Sequence, residues 1–232
     1  MLRSMRADTS QITVVDWGRT RYVDAWRRQD ECVAQRIAGE TGDLFVLTEH
    51  EAVFTTGLRA GAEAHLLWNE EARSREGVEL VKSNRGGDIT YHGPGQIVGY
   101  PIVSLSSHRD LHAYLRWLEQ LLIESVRTFG LDASRREGKT GIWIGHRKIA
   151  AIGVAVKRWV AYHGFALNVN TNLSHFGGII PCGIGATDGS VTSLQAELGH
   201  DVSLDEVKRV LARQFQQAWG DFIGKAAPTN GG

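Results

Sequence analysis

Residues Arg85 to Tyr100 read Arg-Gly-Gly-Asp-Ile-Thr-Tyr-His-Gly-Pro-Gly-Gln-Ile-Val-Gly-Tyr. The glycines remove side chains where a backbone must turn sharply or lie close to another group, and polar side chains stand between them. A loop of this composition is costly to order, because glycine loses the most conformational freedom on folding. We therefore predict a binding loop. The alternative interpretation is a glycine-rich hairpin that carries a few solvated polar residues.

The composition around this loop is that of a soluble globular chain. Hydrophobic residues make up 42% and charged residues 22% of the 232 residues, which places the chain outside the disordered and fibrous classes. Lysine plus arginine and aspartate plus glutamate number 26 each, so no overall field attracts nucleic acid or a membrane surface. We expect neither as a partner, and an acidic partner would need a local basic patch.

Two features of the sequence predict a cytoplasmic location. The first ten residues lack the apolar segment of a secretory signal, and no apolar run approaches the length of a membrane span. The chain has two cysteines, Cys32 and Cys182, which we expect to stay reduced in that compartment. We interpret Cys32 as a small buried apolar residue beside a helix stripe.

Hydrophobic periodicity predicts alternating strands and helices in one domain over residues 11–222, with tails at 1–10 and 223–232. Predicted strands are 12–15, 43–48, 78–82, 97–105, 142–144, 148–156 and 160–169, with 145–147 as a hairpin turn. Predicted helices are 20–38 and 108–129, and capping boxes beginning at Thr192 and Ser203 open two more. Residues 53–57 are expected to form a loop, and 172–189 to form an ordered loop. His50 either lies near the site or caps a strand end, and we favour the second interpretation.

Cys182 lies between Pro181 and Gly183, an unusual position for a core cysteine and a plausible one for a nucleophile. A thiol with a pKa of about 8.5 reacts as thiolate, so it needs a nearby cation or base at neutral pH. Candidates are Lys148, His92, His163 and His175. From the residues alone, a catalytic and a structural Cys182 are equally good interpretations.

Lys148 shares a strand face with Ala150, Ile152, Val154 and Val156. A lysine in line with apolar residues either extends its amine from the strand end into solvent or is held close to a partner. The pattern itself favours the first interpretation.

Several chemistries lack their sequence motifs. The chain has no Gly-x-x-x-x-Gly-Lys-Ser/Thr loop and no Gly-x-Gly-x-x-Gly that opens a helix, so the usual nucleotide cradles are missing. Cys-x-x-Cys and His-Glu-x-x-His pairs are also missing, and so is a Gly-x-Ser-x-Gly elbow. We therefore predict no metal site and no cofactor.

The glycine-rich loop resembles the signature of the lipoyl(octanoyl) transferases. The matching residues are Arg85-Gly86-Gly87, Thr90-Tyr91-His92, Gly95-Gln96 and Tyr100, and Lys148 with Pro181-Cys182-Gly183 falls where that family has its catalytic pair. Two further blocks, Gly164 to Asn168 and Val191 to Leu194, are also similar, so the resemblance runs from about Val14 to Trp219. One departure is Ala52, where members usually have proline.

The resemblance implies an α+β fold like that of the biotin and lipoate protein ligases, with a mixed β-sheet, a smaller accessory sheet and flanking helices. It implies transfer of octanoyl, or lipoyl, from acyl carrier protein to a lysine of lipoyl domains, the first step of endogenous protein lipoylation. Cys182 would form a thioester acyl-enzyme with Lys148 as its partner. The acceptors would be lipoyl domains of 2-oxoacid dehydrogenase complexes and the glycine cleavage H protein, and the enzyme would be a monomer. The implied substrate-binding residues are Arg85, Gly86, Gly87, Asp88, Ile89, Thr90, Tyr91, His92, Ala151, Ile152, Gly153, Gly164, Phe165 and Ala166.

Because carrier proteins are acidic, we expect a docking patch formed by residues that are clustered in sequence, namely Arg135, Arg136, Lys139, Arg147, Lys157 and Arg158. A solvated face is the alternative for any one of them. Three rival functions stay open: an ATP-dependent lipoate or biotin ligase of the same fold, a non-catalytic module that binds acyl carrier protein or a lipoyl domain, and a cysteine hydrolase that releases octanoate.

Overall fold

A computed structural model of the chain describes residues 12–181 and 189–224. Strands β1 to β6 are Thr13–Thr20, Leu44–His50, Val53–Thr56, Glu79–Lys82, Thr90–His92 and Gln96–Ser104. Strands β7 to β11 are Ser134–Arg136, Lys139–Ile144, Arg147–Lys157, Val160–Asn168 and Ser190–Val191. Helices α1 to α5 are Tyr22–Ala38, Glu70–Arg75, Leu111–Arg127, Leu194–Leu198 and Leu204–Gly224, and short 3-10 turns cover Ala62–His65 and Leu173–Gly178.

The strands form two sheets. The larger has the order β1-β2-β6-β10-β9-β8-β7 with β11 added beside β9, and the smaller has the order β4-β3-β5. Parallel pairs (β1 with β2, β11 with β9, β3 with β4) occur beside antiparallel ones, so both sheets are mixed. The mixed sheet with a smaller second sheet is therefore confirmed.

The glycine-rich stretch connects the two sheets. Its first strand, β5, pairs with β3 of the smaller sheet, whereas β6 lies in the centre of the larger sheet between β2 and β10. The hairpin interpretation is therefore wrong, because β5 and β6 pair with different neighbours. The loop prediction for residues 53–57 is also wrong, since Val53–Thr56 is β3, the central strand of the smaller sheet.

Side-chain alternation on β6 separates two layers of core. Ile97 and Val103 pack on the face covered by α3 and α5, and Val98, Tyr100 and Ile102 pack on the opposite face beneath α1. A third core cluster, which includes Phe54, Ile89, Tyr91 and Phe176, lies under the smaller sheet. Cys32, on α1, packs against this layer as predicted, but it is half-buried and not fully buried.

The predicted long helices are present with small shifts at their ends. Helix α1 ends at Gly39, whose φ of 76° is the left-handed cap that glycine supplies. Helix α3 begins after Asp110, whose carboxylate accepts from the Ala113 amide at 2.9 Å. Before α4 the capping residue is Ser193 and not Thr192, because the Ser193 hydroxyl accepts from the Ala196 amide. Ser203 accepts from the Glu206 amide as its capping box predicts.

The predicted tail 1–10 and residues 182–188 of the predicted ordered loop lie outside the described residues, as does the predicted tail 223–232 beyond residue 224. The domain bounds therefore stay a prediction. Within the described ranges, no helix has the length and apolar character needed to cross a bilayer.

Candidate functional site

A cavity of about 530 Å³ lies where the glycine-rich loop meets the larger sheet. Its walls are the loop from Arg85 to Thr90, β9 from Lys148 to Val154, and β10 from His163 to Ala166. This volume falls in the range of about 300–1,000 Å³ that small-molecule sites occupy. The three segments that the sequence assigned to one binding site therefore border one cavity.

Every implied substrate-binding residue lines this cavity except Tyr91. Tyr91 is fully buried in the core of the smaller sheet, where its hydroxyl lies 2.8 Å from Nδ1 of His175. Alternation along β5 explains the difference, because Thr90 and His92 face the cavity and the residue between them faces the other way.

The Arg85 loop lies directly on the backbone of β9. The Gly86 amide donates to the Val154 carbonyl at 3.0 Å, and a Cβ atom on Gly86 would lie 2.7 Å from that oxygen. A Cβ on Gly153 would lie 2.7 Å from the Gly86 carbonyl oxygen. Both positions require glycine because the two backbones approach more closely than a side chain permits.

Arg85 joins the loop to the smaller sheet. Its side chain is 7% exposed, and its guanidinium donates to the hydroxyl and the carbonyl of Thr55 and to the Gly86 carbonyl. These bonds fix the loop at the same point at which Gly86 meets β9.

Asp88 is 1% exposed, and its carboxylate accepts from the Ile89 amide at 2.7 Å and from Nδ1 of His65 at 2.8 Å. Arg59, which also lines the cavity, lies 3.5 Å away. Sequence reasoning missed Arg59 and His65, because they lie in an irregular segment without a motif and meet Asp88 only through folding.

Lys148 lies at the start of β9 and is 8% exposed. The Lys148 Nζ is 5.3 Å from the centroid of the Trp143 ring, a cation–π distance. Lys148 also lines the cavity. The solvent-extended interpretation is therefore wrong. Cys182 lies outside the described residues, but Pro181, which precedes it, lines the same cavity as Lys148.

The three histidines considered as partners for Cys182 are bonded elsewhere. Burial, followed by the charges of His50 and Arg85, holds the pKa of His92 well below its ordinary value, and its Nδ1 lies 2.8 Å from Oε1 of Gln96. Burial, with Arg85, lowers the pKa of His163 to about 3. His175 lies between Tyr91 and Asn172. His92 and His163 are therefore neutral near pH 7 and supply no positive charge there.

Tyr22, His50, His92 and Tyr100 form a buried cluster, which we call the His–Tyr cluster, and all of its members except His50 line the cavity. The Tyr22 and His92 rings stack at 5.8 Å, and Nε2 of His50 lies 2.7 Å from the Tyr100 hydroxyl. Burial lowers the pKa of His50 to about 4 and raises that of Tyr100 well above its ordinary value. His50 ends β2, as the favoured interpretation predicted, and it also contacts His92 and Tyr100, which line the cavity, so the alternative position near the site holds as well.

The six basic residues of the expected docking patch do not form one surface. Lys139 lines the cavity, and Arg136 stacks on Trp143 at 4.9 Å. Lys157 lies nine residues beyond Lys148 on β9, about 30 Å away at 3.3 Å per residue. Arg135 contacts Glu119 at 3.1 Å and Arg147 contacts Glu197 at 2.6 Å, so much of their charge is neutralised.

The described residues contain no group of three or more side chains suited to hold a metal ion.

Comparison with known proteins identifies the family of this chain. Residues 21–216 match the family model of the lipoyl protein ligase A/B catalytic domain. An octanoyltransferase of Rubrobacter xylanophilus is 46% identical over 205 residues, covering 88% of this chain and 91% of the relative. An octanoyltransferase of Solibacter usitatus is 47% identical over 206 residues, with coverage of 88% and 91%.

Solved structures with the same fold include lipoate and biotin protein ligases. A bipartite lipoate protein ligase of Thermoplasma acidophilum superposes with a TM-score of 0.70 at 20% identity, covering 90% of this chain and 84% of that one. A biotin protein ligase of Aquifex aeolicus gives a TM-score of 0.55 at 10% identity, with coverage of 93% and 73%. The ligase-like α+β fold that the sequence implied is confirmed by these neighbours.

The cavity, its glycine-rich loop and the extent of these similarities lead to one conclusion: the chain belongs to the lipoyl protein ligase A/B catalytic domain family and, within it, to the octanoyltransferases, which are acyl-transferring enzymes.

Proposed function

We propose that the protein transfers octanoyl from octanoyl-acyl carrier protein to a specific lysine of a lipoyl domain through a thioester on Cys182. The observation that carries the proposal is the position of Lys148, which is buried on the wall of a cavity that also includes Pro181, the residue before Cys182. A lysine ammonium beside a thiol favours its thiolate form, which is the nucleophile.

In the first half-reaction the Cys182 thiolate attacks the carbonyl carbon of the donor thioester. A carbon–sulfur bond forms to Cys182, the bond to the carrier's sulfur breaks, and the carrier leaves as a thiol after it takes a proton from the Lys148 ammonium, which becomes a neutral amine. In the second half-reaction the acceptor amine attacks the acyl-enzyme, Lys148 accepts a proton from that amine, and the Cys182 thiolate is regenerated. The donor is already activated, so these steps require no ATP.

The cavity supplies the acyl site. Ala151, Ile152, Phe165 and Ala166 give it apolar walls for an eight-carbon chain. Gly86, Gly87 and Gly153 bring backbone close to the bound group, where amide hydrogens could stabilise an oxyanion.

The proposed donor is acidic, and the proposed acceptors are lipoyl domains of 2-oxoacid dehydrogenase complexes and the glycine cleavage H protein. One structural neighbour was solved as a lipoate protein ligase together with its E2 lipoyl domain, which supports an acceptor of this type. We propose that the enzyme acts in the cytoplasm as a monomer. Lys139, on the cavity wall, is the basic residue best placed to meet the donor, and turnover with carrier-bound octanoyl should fall as salt is added.

The experiment is incubation of the enzyme with octanoyl-acyl carrier protein, with and without a lipoyl domain, followed by intact-mass analysis. We expect an octanoyl adduct on the enzyme without acceptor and an octanoylated lipoyl domain with it. Cys182→Ala should form no adduct, and Cys32→Ala, which removes the half-buried thiol in the α1 layer, should behave as wild type. Lys148→Met should slow both half-reactions.

The same experiment, repeated with free octanoate and ATP, separates the rivals. Binding of the carrier protein or lipoyl domain without octanoyl transfer would identify a non-catalytic module. An octanoyl adduct that persists in Cys182→Ala would contradict the thioester. Transfer from free octanoate that requires ATP, and that survives Cys182→Ala, would identify a ligase. Release of free octanoate without acceptor, at the rate of transfer, would identify a hydrolase.

A further inference from the structure

His163 has a strained backbone in the middle of β10. Its φ is 55°, in the left-handed region that side chains other than glycine seldom adopt. Pairing between β10 and β6 stops after Ala161 and resumes at Phe165, and the register places Pro101 opposite His163. Proline has no amide hydrogen and interrupts a ladder. A conformation of this kind is strained and persists only where its surroundings hold it.

Gln29 of α1 holds this conformation. Gln29 is fully buried, and its side-chain oxygen accepts from the His163 amide through a short hydrogen bond. The bond satisfies a backbone donor that is not paired with β6 at this point. Helix α1 therefore keeps His163 turned away from the regular strand conformation.

The turned His163 ring reaches the segment that leads into the Arg85 loop. Its Nε2 lies 2.6 Å from the side-chain oxygen of Asn84, and the Asn84 amide group donates to the Tyr162 hydroxyl at 3.3 Å. Because Asn84 donates through its nitrogen to Tyr162, its oxygen is the acceptor, so Nε2 of His163 carries the proton. Burial keeps the ring neutral, consistent with this tautomer.

Asn84 immediately precedes Arg85, whose guanidinium is anchored to the smaller sheet through Thr55. The His163–Asn84 bond is thus an anchor of the same loop to the larger sheet. Since both the loop and His163 line the cavity, the His163–Asn84 bond fixes the position of the loop relative to the cavity wall on β10.

We propose that His163 is a positioning residue: it fixes the Arg85 loop through Asn84 and so determines how tightly the cavity binds an acyl chain. The identity of that chain as octanoyl rests on the proposed function. His163 takes no part in bond making, so its loss should weaken acyl binding and leave the rate at saturation nearly unchanged.

The test is a double-mutant cycle on His163→Asn and Asn84→Ala, with octanoate binding measured by calorimetry. Asparagine tolerates the left-handed backbone, but its side chain is too short to replace the imidazole. Each single variant should raise the dissociation constant for octanoate about tenfold, the equivalent of one buried hydrogen bond. The double variant should bind as weakly as the single variants. His200→Asn, at an exposed histidine, is the matched control and should bind as wild type.

A second readout distinguishes positioning from general damage. In both single variants, single-turnover acylation by octanoyl-acyl carrier protein should require about tenfold more donor for half-saturation, with a saturating rate within about threefold of wild type. Asn84→Asp keeps an oxygen acceptor and should recover most of the affinity. If His163→Asn does not fold, Asn84→Ala and Asn84→Asp decide the question, since neither changes the strained backbone.

The proposal is overturned if either single variant binds octanoate as tightly as wild type does. It is also overturned if the increases in dissociation constant of the two single variants multiply in the double variant. Wild-type protein that binds octanoate but forms no acyl-enzyme would refute the proposed function alone. Wild-type protein that neither binds octanoate nor forms an acyl-enzyme would refute both.

Discussion

Gly153→Ala should damage the cavity by a predictable amount. The added Cβ would lie 2.7 Å from the Gly86 carbonyl oxygen and 3.6 Å from the Arg85 side chain. Ordinary contact begins at 3.4 Å, so the Arg85 loop or β9 must move by about 0.7 Å. The contacting atom belongs to a backbone that is held by the Gly86–Val154 hydrogen bond, so it cannot rotate away. Overpacking of this kind costs about 1–3 kcal/mol of unfolding free energy.

The same displacement should reduce octanoyl transfer, because Gly153 and the Arg85 loop both line the cavity. Misplacement of a binding group by about 1 Å can cost up to 100-fold in rate, so we expect kcat/KM to fall by about 10- to 100-fold. The assays are urea unfolding and steady-state transfer from octanoyl-acyl carrier protein.

Gly42→Ala is the matched control, because nothing lies within 4 Å of an added Cβ at that position and its backbone is not left-handed. The unfolding free energy of Gly42→Ala should stay within about 1 kcal/mol of wild type, and its octanoyl transfer should be unchanged. The reasoning is refuted if Gly153→Ala unfolds at the same urea concentration as Gly42→Ala and transfers octanoyl at the same rate.

Two further predictions concern stability. Burial lowers the pKa of His50 to about 4 from its ordinary value of 6.5, so the unfolded chain binds a proton that the folded chain excludes. The unfolding free energy should therefore be highest above pH 6.5 and fall by on the order of 3 kcal/mol for this group as pH decreases to about 4. Urea unfolding at several pH values should show that the unfolding free energy depends less steeply on pH in His50→Gln than in wild type. Equal slopes of unfolding free energy against pH would contradict the lowered pKa of His50. Asp43 is 4% exposed and accepts from Arg36, the Ser104 amide and the Trp219 indole at 2.7 to 3.0 Å. Asp43→Ala should lower the unfolding free energy by about 3–5 kcal/mol, against less than about 1 kcal/mol for the exposed Asp24→Ala. Equal losses in the two aspartate variants would show that the buried network contributes little.

Elements dominated by local pattern could be predicted from the sequence. The apolar stripe of α3, with Leu118, Leu122 and Val126 fully buried, has the helical period and needs no knowledge of its neighbours. Strand β6 was predicted within one residue at each end, because nine consecutive residues suit a strand buried on both faces. The loop residues of the site were predicted from their resemblance to a family, because glycine and polar residues in that order are specific to the family.

Errors arose where long-range pairing decides the outcome. Val53–Thr56 is too short to carry a clear period, and it becomes a strand because β4 and β5 pair with it. Tyr91 appeared to belong to the cavity with its neighbours until the pairing of β5 determined which face it takes. The basic residues from Arg135 to Arg158 are close in sequence, yet the length of β9 separates Lys148 from Lys157 by about 30 Å.

By itself the sequence determined the class of this protein, its main helices and central strand, and which loop lines the cavity, because these depend on local periodicity and on residue types at fixed spacing. Only the tertiary structure decided that β5 and β6 enter different sheets, that Lys148 is buried against Trp143, and that Gln29, His163 and Asn84 meet beside the loop. Gln29 and His163 are separated by 134 residues, and their hydrogen bond exists only because α1 packs on β10. Contacts of that kind have no local signature, since packing of distant segments creates them.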